Sequence, residues 1–387
     1  MGKIGFWGDN SGDQVIAFDI ETFKVLAKIA VGDGPYPVDR ISENLIFAST
    51  RNERSLSTVD IQSLNRGANI QLAHTPRSST LQSATQRVLV GGGDTTLTTI
   101  LDVSGTWPKT VGTYGPGSRP SVFDHGGSLA SGHPSWLDEN GDRFFILDRI
   151  TRRIHVYDMS GPTPVWSQNL PSSAHDVLQY SSDNGLWYAV CEGSQSSLTP
   201  PSLVEFKETK LGFKITRNLF LPVDPSNYGN MGGHHCDKHP NGTHIYFGSN
   251  EGMCYVIDRH KMSIETVIKT GKAHGHTRFD PKRDIAITTN HNDDFVSIID
   301  SKTHKLIKNV QVAFDPKIGK QKLQGHTSTI SADGKYFVHT ASNDGAIYRL
   351  DLDTLEVADR EIVGGYPIQG TTFNTSQPAQ DHHAALA

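Results

Sequence analysis

Three cysteines in 387 residues are too few, and odd in number, so a disulfide framework is excluded as the basis of the fold. No apolar run approaches the roughly 20 residues of a membrane-crossing helix, so no membrane span is expected. Charge of one sign is missing too: 36 Lys and Arg stand against 41 Asp and Glu, a formal net charge of -5. That removes the polybasic face which nucleic acid or an anionic lipid surface requires. HExxH and GxSxG are absent, and the GGGD run at Gly91 has neither a P-loop lysine nor a following helix. No segment carries a helical period. The N-terminus, MGKIGFWGDN, lacks the charged-then-apolar layout of a signal peptide. A cytosolic protein and the mature form of a periplasmic or extracellular one both fit. What is abundant is histidine, with 18 residues, about double an ordinary share.

Short apolar segments ending in aspartate recur along the chain: VIAFD (Asp19), LSTVD (Asp60), TTILD (Asp102), IHVYD (Asp158), CYVID (Asp258), VSIID (Asp300) and IYRLD (Asp351). LVEFK puts Lys207 in the same place, and successive intervals over the eight run from 41 to 56 residues. Upstream lies a second strand and a turn, as in GKYFVHTASNDGAIYRLD, where Asn343-Asp344-Gly345 is a hairpin signal. Downstream comes a charged turn and a further strand, as in SKTHKLIKNVQV. A four-strand unit repeated at this interval predicts an all-β, single-domain β-propeller. The expected architecture is eight four-stranded blades over residues 1–375, with seven as the alternative count and 376–387 as a tail. The chain starts in a second strand (IGFWGDN) and ends on an orphan innermost strand (QGTTFN), so pairing the two would complete the eighth blade and remove a free sheet edge.

GDNSGDQVIAFDIETFKVLAKIAVGDGPYP and TNHNDDFVSIIDSKTHKLIKNVQV resemble the repeats of YVTN-type β-propellers, a superfamily that also takes in propellers like those of nitrous oxide reductase and cytochrome cd1. The resemblance covers nearly the whole chain. It implies a fold and leaves function open, because propellers host unrelated activities.

Aligning the units at the start of the innermost strand yields one slot per blade, occupied by Pro37, Pro76, His133, His175, His235, His276, His326 and Gln369. In a propeller this point lies at the mouth of the central channel, so five imidazoles are expected to converge. A lone histidine at a strand start is more often a hydrogen-bonded turn residue. Five in consecutive blades have few uses other than holding a cation, since neutral rings brought together would otherwise oppose their lone pairs. His133, His175, His235, His276 and His326 are therefore the candidate metal ligands. His234, His274 and His74 are candidate additional ligands, Asp176 and Asp237 candidate orienting groups, and Cys236 a candidate thiolate or an inert buried thiol. His239, His244, His291 and His304 fall in turns and hairpins, and His155 and His339 in strands, where no chemistry is expected of them.

Imidazole coordination suits copper, iron, zinc or nickel and disfavours magnesium and calcium. More than four histidines exceeds what a tetrahedral zinc needs, which points to one iron with extra histidines around it or to a copper cluster sharing them; with the resemblance, copper comes first and iron and zinc are the alternatives. The resemblance adds that nitrous oxide reductase holds a copper cluster in a ring of propeller histidines; this chain has no cupredoxin domain, so that reaction is not expected of it. Arg40, Arg77 and Gln369 lie beside the histidine-free slots as candidate substrate contacts, with Arg119 in the glycine-rich stretch GTYGPGSRPSVFDHGG as part of a lid. The expectation is a copper or iron redox enzyme acting on a small polar or anionic substrate, with electrons from a protein partner. A periplasmic metal carrier and an interaction scaffold are the competing functions.

Overall fold

In the computed structural model, the residues described are 3–120, 129–138, 140–179, 185–210, 212–229, 232–314 and 323–374. They form eight antiparallel sheets of four strands each, the blades of a β-propeller, with no α-helix among them. In order of their innermost strands, blades 1 to 7 span residues 35–71, 76–114, 135–169, 174–220, 236–269, 274–311 and 329–362. Blade 8 joins the two ends of the chain: its innermost strand is Pro367–Asn374 and its other three are Lys3–Asp9, Gln14–Asp19 and Lys24–Ala30. Lys3 pairs with Asn374 and Gly8 with Gln369, the closure expected from the sequence. The expected tail, 376–387, and part of the glycine-rich stretch, 121–128, lie outside the described residues.

The chain divides into two compact units. Among the described residues, one consists of 3–38, 62–66 and those between 234 and 374, and holds blades 5 to 8. There the cores form between adjacent blades: Ile287, Val296 and Ile298 of blade 6 pack with Phe337, Tyr348 and Leu350 of blade 7, and Trp7, Ile16 and Phe18 of blade 8 with Val338 and Ile347. The other holds 39–61 and 67–233, where Phe145, Ile154 and Val156 of blade 3 pack with Trp187, Ala189, Val204 and Phe206 of blade 4.

Position in the blade explains the sequence pattern. Second and third strands are covered on both faces and read as unbroken buried runs, such as Gln14–Asp19 and Met253–Asp258. Outermost strands alternate, as in Lys24–Ala30 and Phe213–Phe220, because one face meets water. The recurring aspartate is a turn-former. Oδ1 of Asp19 accepts from the N–H groups of Glu21 and Thr22, both at 2.9 Å, and Asp258, Asp300 and Asp351 repeat the pattern. Each carboxylate closes the hairpin into the outermost strand. Blade 4, with Lys207 in that place, closes its hairpin instead through Thr209 N–H to the Gly212 carbonyl, 2.6 Å.

Candidate metal centre

The histidine-bearing strands of blades 4 and 6 start with bulges. In blade 4, Ala174 faces Cys191 and Asp176 faces Val190, so His175 is the extra residue. Blade 2 does the same with Arg77, between Pro76 opposite Gly92 and Ser78 opposite Gly91. In blade 5, His234 N–H donates to the Gly248 carbonyl and Gly248 N–H to that of His235, before pairing resumes at Cys236 opposite Phe247. Blade 6 breaks register between His274 and Thr277, so Gly275 stands where His235 stands in blade 5, and His276 comes one residue later. A bulge re-aims a side chain out of the pleat. The single slot of the sequence alignment thus resolves into two successive positions, with His175 and His235 on the bulge and His276 just after it.

Within the unit that holds blades 5 to 8, ring nitrogens of His235, His291 and His326 lie within 4.8 Å of one another. Ring centroids are 4.2 Å apart for His291 and His326, 5.7 Å for His235 and His326, and 6.1 Å for His235 and His291. His291 directly follows the second strand of blade 6, Ile285–Asn290, and is fully buried. Its Nδ1–H donates to the Gln324 carbonyl at 3.3 Å, which leaves Nε2 with the lone pair. Gln324 is itself held by its amide on the Asp293 and Phe295 carbonyls, both at 2.8 Å.

Further rings back this trio. His276 stacks on His235 at 3.9 Å between centroids, and His234 lies at the same distance from His235. His234 Nδ1–H donates to the His274 carbonyl, 2.9 Å, and His274 sits between Thr270 Oγ1 at 3.1 Å and Thr277 Oγ1 at 3.4 Å. Burial pushes the His274 imidazole down to about 4, so it stays neutral. Asp237 orients His276: Oδ1 is 3.3 Å from Nδ1, while Oδ2 accepts from Thr277 N–H at 2.7 Å. Cys236 is a buried free cysteine, as are Cys191 and Cys254. Burial raises the last two, Cys191 to about 12, which keeps them as thiols.

In the unit that holds His133 and His175, the two rings are 5.8 Å apart. His175 Nδ1 is 3.0 Å from Oε1 of Glu192, whose carboxylate meets Arg149 Nη2 at 2.5 and 2.6 Å. Burial would raise the Glu192 carboxyl, but Arg149 and His175 outweigh it and hold it at about 2. Burial likewise takes His175 down to about 4 against the pull of Glu192. This carboxylate–histidine pair has the form that orients metal-bound imidazoles. Glu192 directly follows its blade's second strand, Leu186–Cys191, as His291 follows that of blade 6.

No protein-family model matches the sequence, and no curated protein does. Among solved structures, apo AztD from Citrobacter koseri superposes with a TM-score of 0.65 at 15% identity, covering 96% of this chain and 98% of that one. A second structure of Citrobacter koseri AztD gives 0.67 at 14%, with the same coverage. Dihydro-heme d1 dehydrogenase NirN in complex with DHE gives 0.65 at 16%, covering 96% of this chain and 75% of that one. The chain shares the β-propeller fold of these structures. At these identities the likeness is one of fold.

The remaining candidates are placed as follows in this propeller. Arg40 donates from Nε to the Ser42 carbonyl at 3.0 Å and from Nη2 to that of Glu43 at 3.3 Å; Arg77 donates to the Ser131 carbonyl. Arg119 is exposed, and Gln369 faces Gly8 in the closing pair. His74 is buried, with Nε2 2.9 Å from Thr99 Oγ1, and Asp176 accepts from Val177 N–H at 2.8 Å. His291 and Glu192 were missed by the sequence reading. The signal was available: both stand first after the second strand of a blade, a position the alignment of innermost strands never compared.

Proposed function

We propose that this propeller is a metal-binding protein that takes a borderline divalent ion, zinc or copper, on His235, His291 and His326. The observation that supports this is the approach of three ring nitrogens to within 4.8 Å of one another. Three neutral imidazoles leave a fourth coordination position for water or for a ligand from another protein, and an all-nitrogen set suits zinc and copper over magnesium and calcium. Stacking of His235 on His276, its contact with His234 and the bond from His291 to Gln324 favour one ring arrangement, which lowers the cost of ordering the ligands when the ion arrives. Holding and handing on the ion is the function this donor set supports best. Two further observations favour it over turnover of a small anionic substrate: the guanidinium groups of Arg40 and Arg77 both donate to main-chain carbonyls.

A second function, a copper oxidoreductase fed by an outside electron donor, draws support from the carboxylate-backed His175 and His276, which extend the supply of oriented imidazoles beyond one tetrahedral ion. Metal analysis of protein purified without added metal separates the two. Exchangeable zinc or copper that falls by about one ion per chain in His291→Ala or His326→Ala is the carrier outcome. Tightly held copper with an EPR signal and a charge-transfer band is the oxidoreductase outcome. Metal content unchanged in both variants would overturn the assignment of the three ligands.

A further inference from the structure

A separate group of ligand-type side chains lies at the edge of blades 5 and 6. His244 opens the second strand of blade 5, Glu265 sits in its outermost strand Ser263–Lys269, and His304 immediately precedes the outermost strand of blade 6, Lys305–Gln311. One ligand atom from each of the three lies within 4.8 Å of the others. His244 Nε2 is 2.9 Å from Glu265 Oε2, and the two imidazole centroids are 4.7 Å apart. His304 is buried while the Glu265 side chain is 48% exposed, so the group has a floor and an opening to solvent.

Two features mark these residues as ligands rather than packing. The hairpins of blades 8, 5 and 7 place Phe23, Met262 and Leu355 where blade 6 places His304, all four in the left-handed region with φ between 51° and 57°. The fold accepts an apolar side chain there, and blade 6 carries an imidazole instead. The second feature is the support of that imidazole. Its Nδ1 is 2.8 Å from Tyr246 Oη; with Nδ1–H donating to this oxygen, Nε2 is left as the donor atom, the arrangement metal-bound histidines adopt. Neighbouring His239 forms a wall and is not a ligand, because its Nε2–H donates to the Ser301 carbonyl at 2.9 Å and its Nδ1 accepts from Asn241 N–H at 3.1 Å. Asn241 Nδ2 also donates to His244 Nδ1 at 2.8 Å. A cation on His244 Nε2 requires a proton on Nδ1, so that amide contact is exchanged for a coordinate bond.

We propose that His244, Glu265 and His304 form a second metal site, which binds a borderline divalent cation such as zinc and cross-links blades 5 and 6 from the outside. Two imidazoles and a carboxylate are a common zinc donor set, and the exposed carboxylate offers the ion its way in. The site stands apart from His235, His291 and His326.

The test uses zinc alone. In a background carrying His291→Ala and His326→Ala, calorimetric titration and metal analysis after desalting are expected to find one zinc per chain still bound. Adding Glu265→Gln or His304→Gln is expected to weaken that residual binding at least tenfold. Zinc is expected to raise the Tm of the background protein and to leave it unchanged once Glu265→Gln is present. Because Glu265 is half exposed, Glu265→Gln in the otherwise unaltered protein supplies an independent reading, the loss of one zinc per chain. Absence of residual zinc in a folded background protein, or residual zinc indifferent to Glu265→Gln, would overturn the proposal. A background that binds as much zinc as the unaltered protein would instead count against the His235, His291 and His326 site.

Discussion

Gly275 and His291 compete for one space. A Cβ on residue 275 would stand 2.9 Å from both Cε1 and Nε2 of the His291 ring and 2.3 Å from Thr289 Oγ1. Blade 5 carries His235 at this point of the strand, so blade 6 gives up its own side chain and the ring from the end of the neighbouring strand fills the room. Gly275→Ala should therefore push His291 out of reach of His235 and His326. Zinc affinity measured by competition with a chromogenic chelator is expected to fall roughly 10- to 100-fold, the range for substitutions that misplace a ligand. Unchanged affinity in a folded Gly275→Ala protein would show that His291 is not a ligand.

The ion pair between Arg149 and Glu192 is almost wholly buried, with Arg149 Nη2 2.5 Å from Oε2. Glu192→Ala leaves a guanidinium without its carboxylate and removes the acceptor of His175 Nδ1. The expected loss of stability is about 3 to 5 kcal/mol, the usual result of removing one partner of a buried pair. Urea denaturation followed by tryptophan fluorescence reads it, and a loss under 1 kcal/mol would mean the network contributes little to the fold.

Asp39 is buried, and its Oδ2 has no hydrogen-bond partner among the described residues. Burial raises its carboxyl from an ordinary 3.8 to about 7, with Ser79 only partly offsetting the effect. Between these two values the folded protein binds a proton that the unfolded chain has released. Stability then falls as pH rises from about 4 through 7. Asp39→Asn should flatten that part of the profile and make the protein more stable than the parent at pH 8. Thermal melts across the range give the answer, and identical slopes for the two proteins would refute the assignment.

Removal of the closing strand should be costly in a different way. A chain ending at residue 366 leaves Lys3–Asp9, otherwise paired from Lys3 with Asn374 to Gly8 with Gln369, as an exposed sheet edge. Unpaired edges recruit other chains. Light scattering is expected to detect oligomers at micromolar concentration; a stable monomer would show that blade 8 holds with three strands.

Much of this was legible in the sequence because the repeat is written in turns. Asp19, Asp258, Asp300 and Asp351 each cap a hairpin through their own side chain, so a local hydrogen bond needs the same residue in blade after blade. The alternating outermost strands and apolar middle strands follow from which faces meet water, and the two chain ends read as halves of one blade. The bulges were not legible. One extra residue at the start of a strand has no compositional mark, so His175 and His276 looked equivalent while the register sets them one position apart. The bulge decides which way each ring leaves the sheet.

By itself the sequence determined the eight four-stranded blades, the joining of the chain ends and the enrichment of histidine where innermost strands begin. All three depend on interactions a few residues long or on alternation within one strand. Only the tertiary structure decided which nitrogens meet. His291 reaches His235 and His326 across strand ends 35 to 56 residues away in sequence, through a gap left by Gly275. Such a meeting depends on bulge geometry and on the packing of neighbouring blades, and no single segment of the chain contains it.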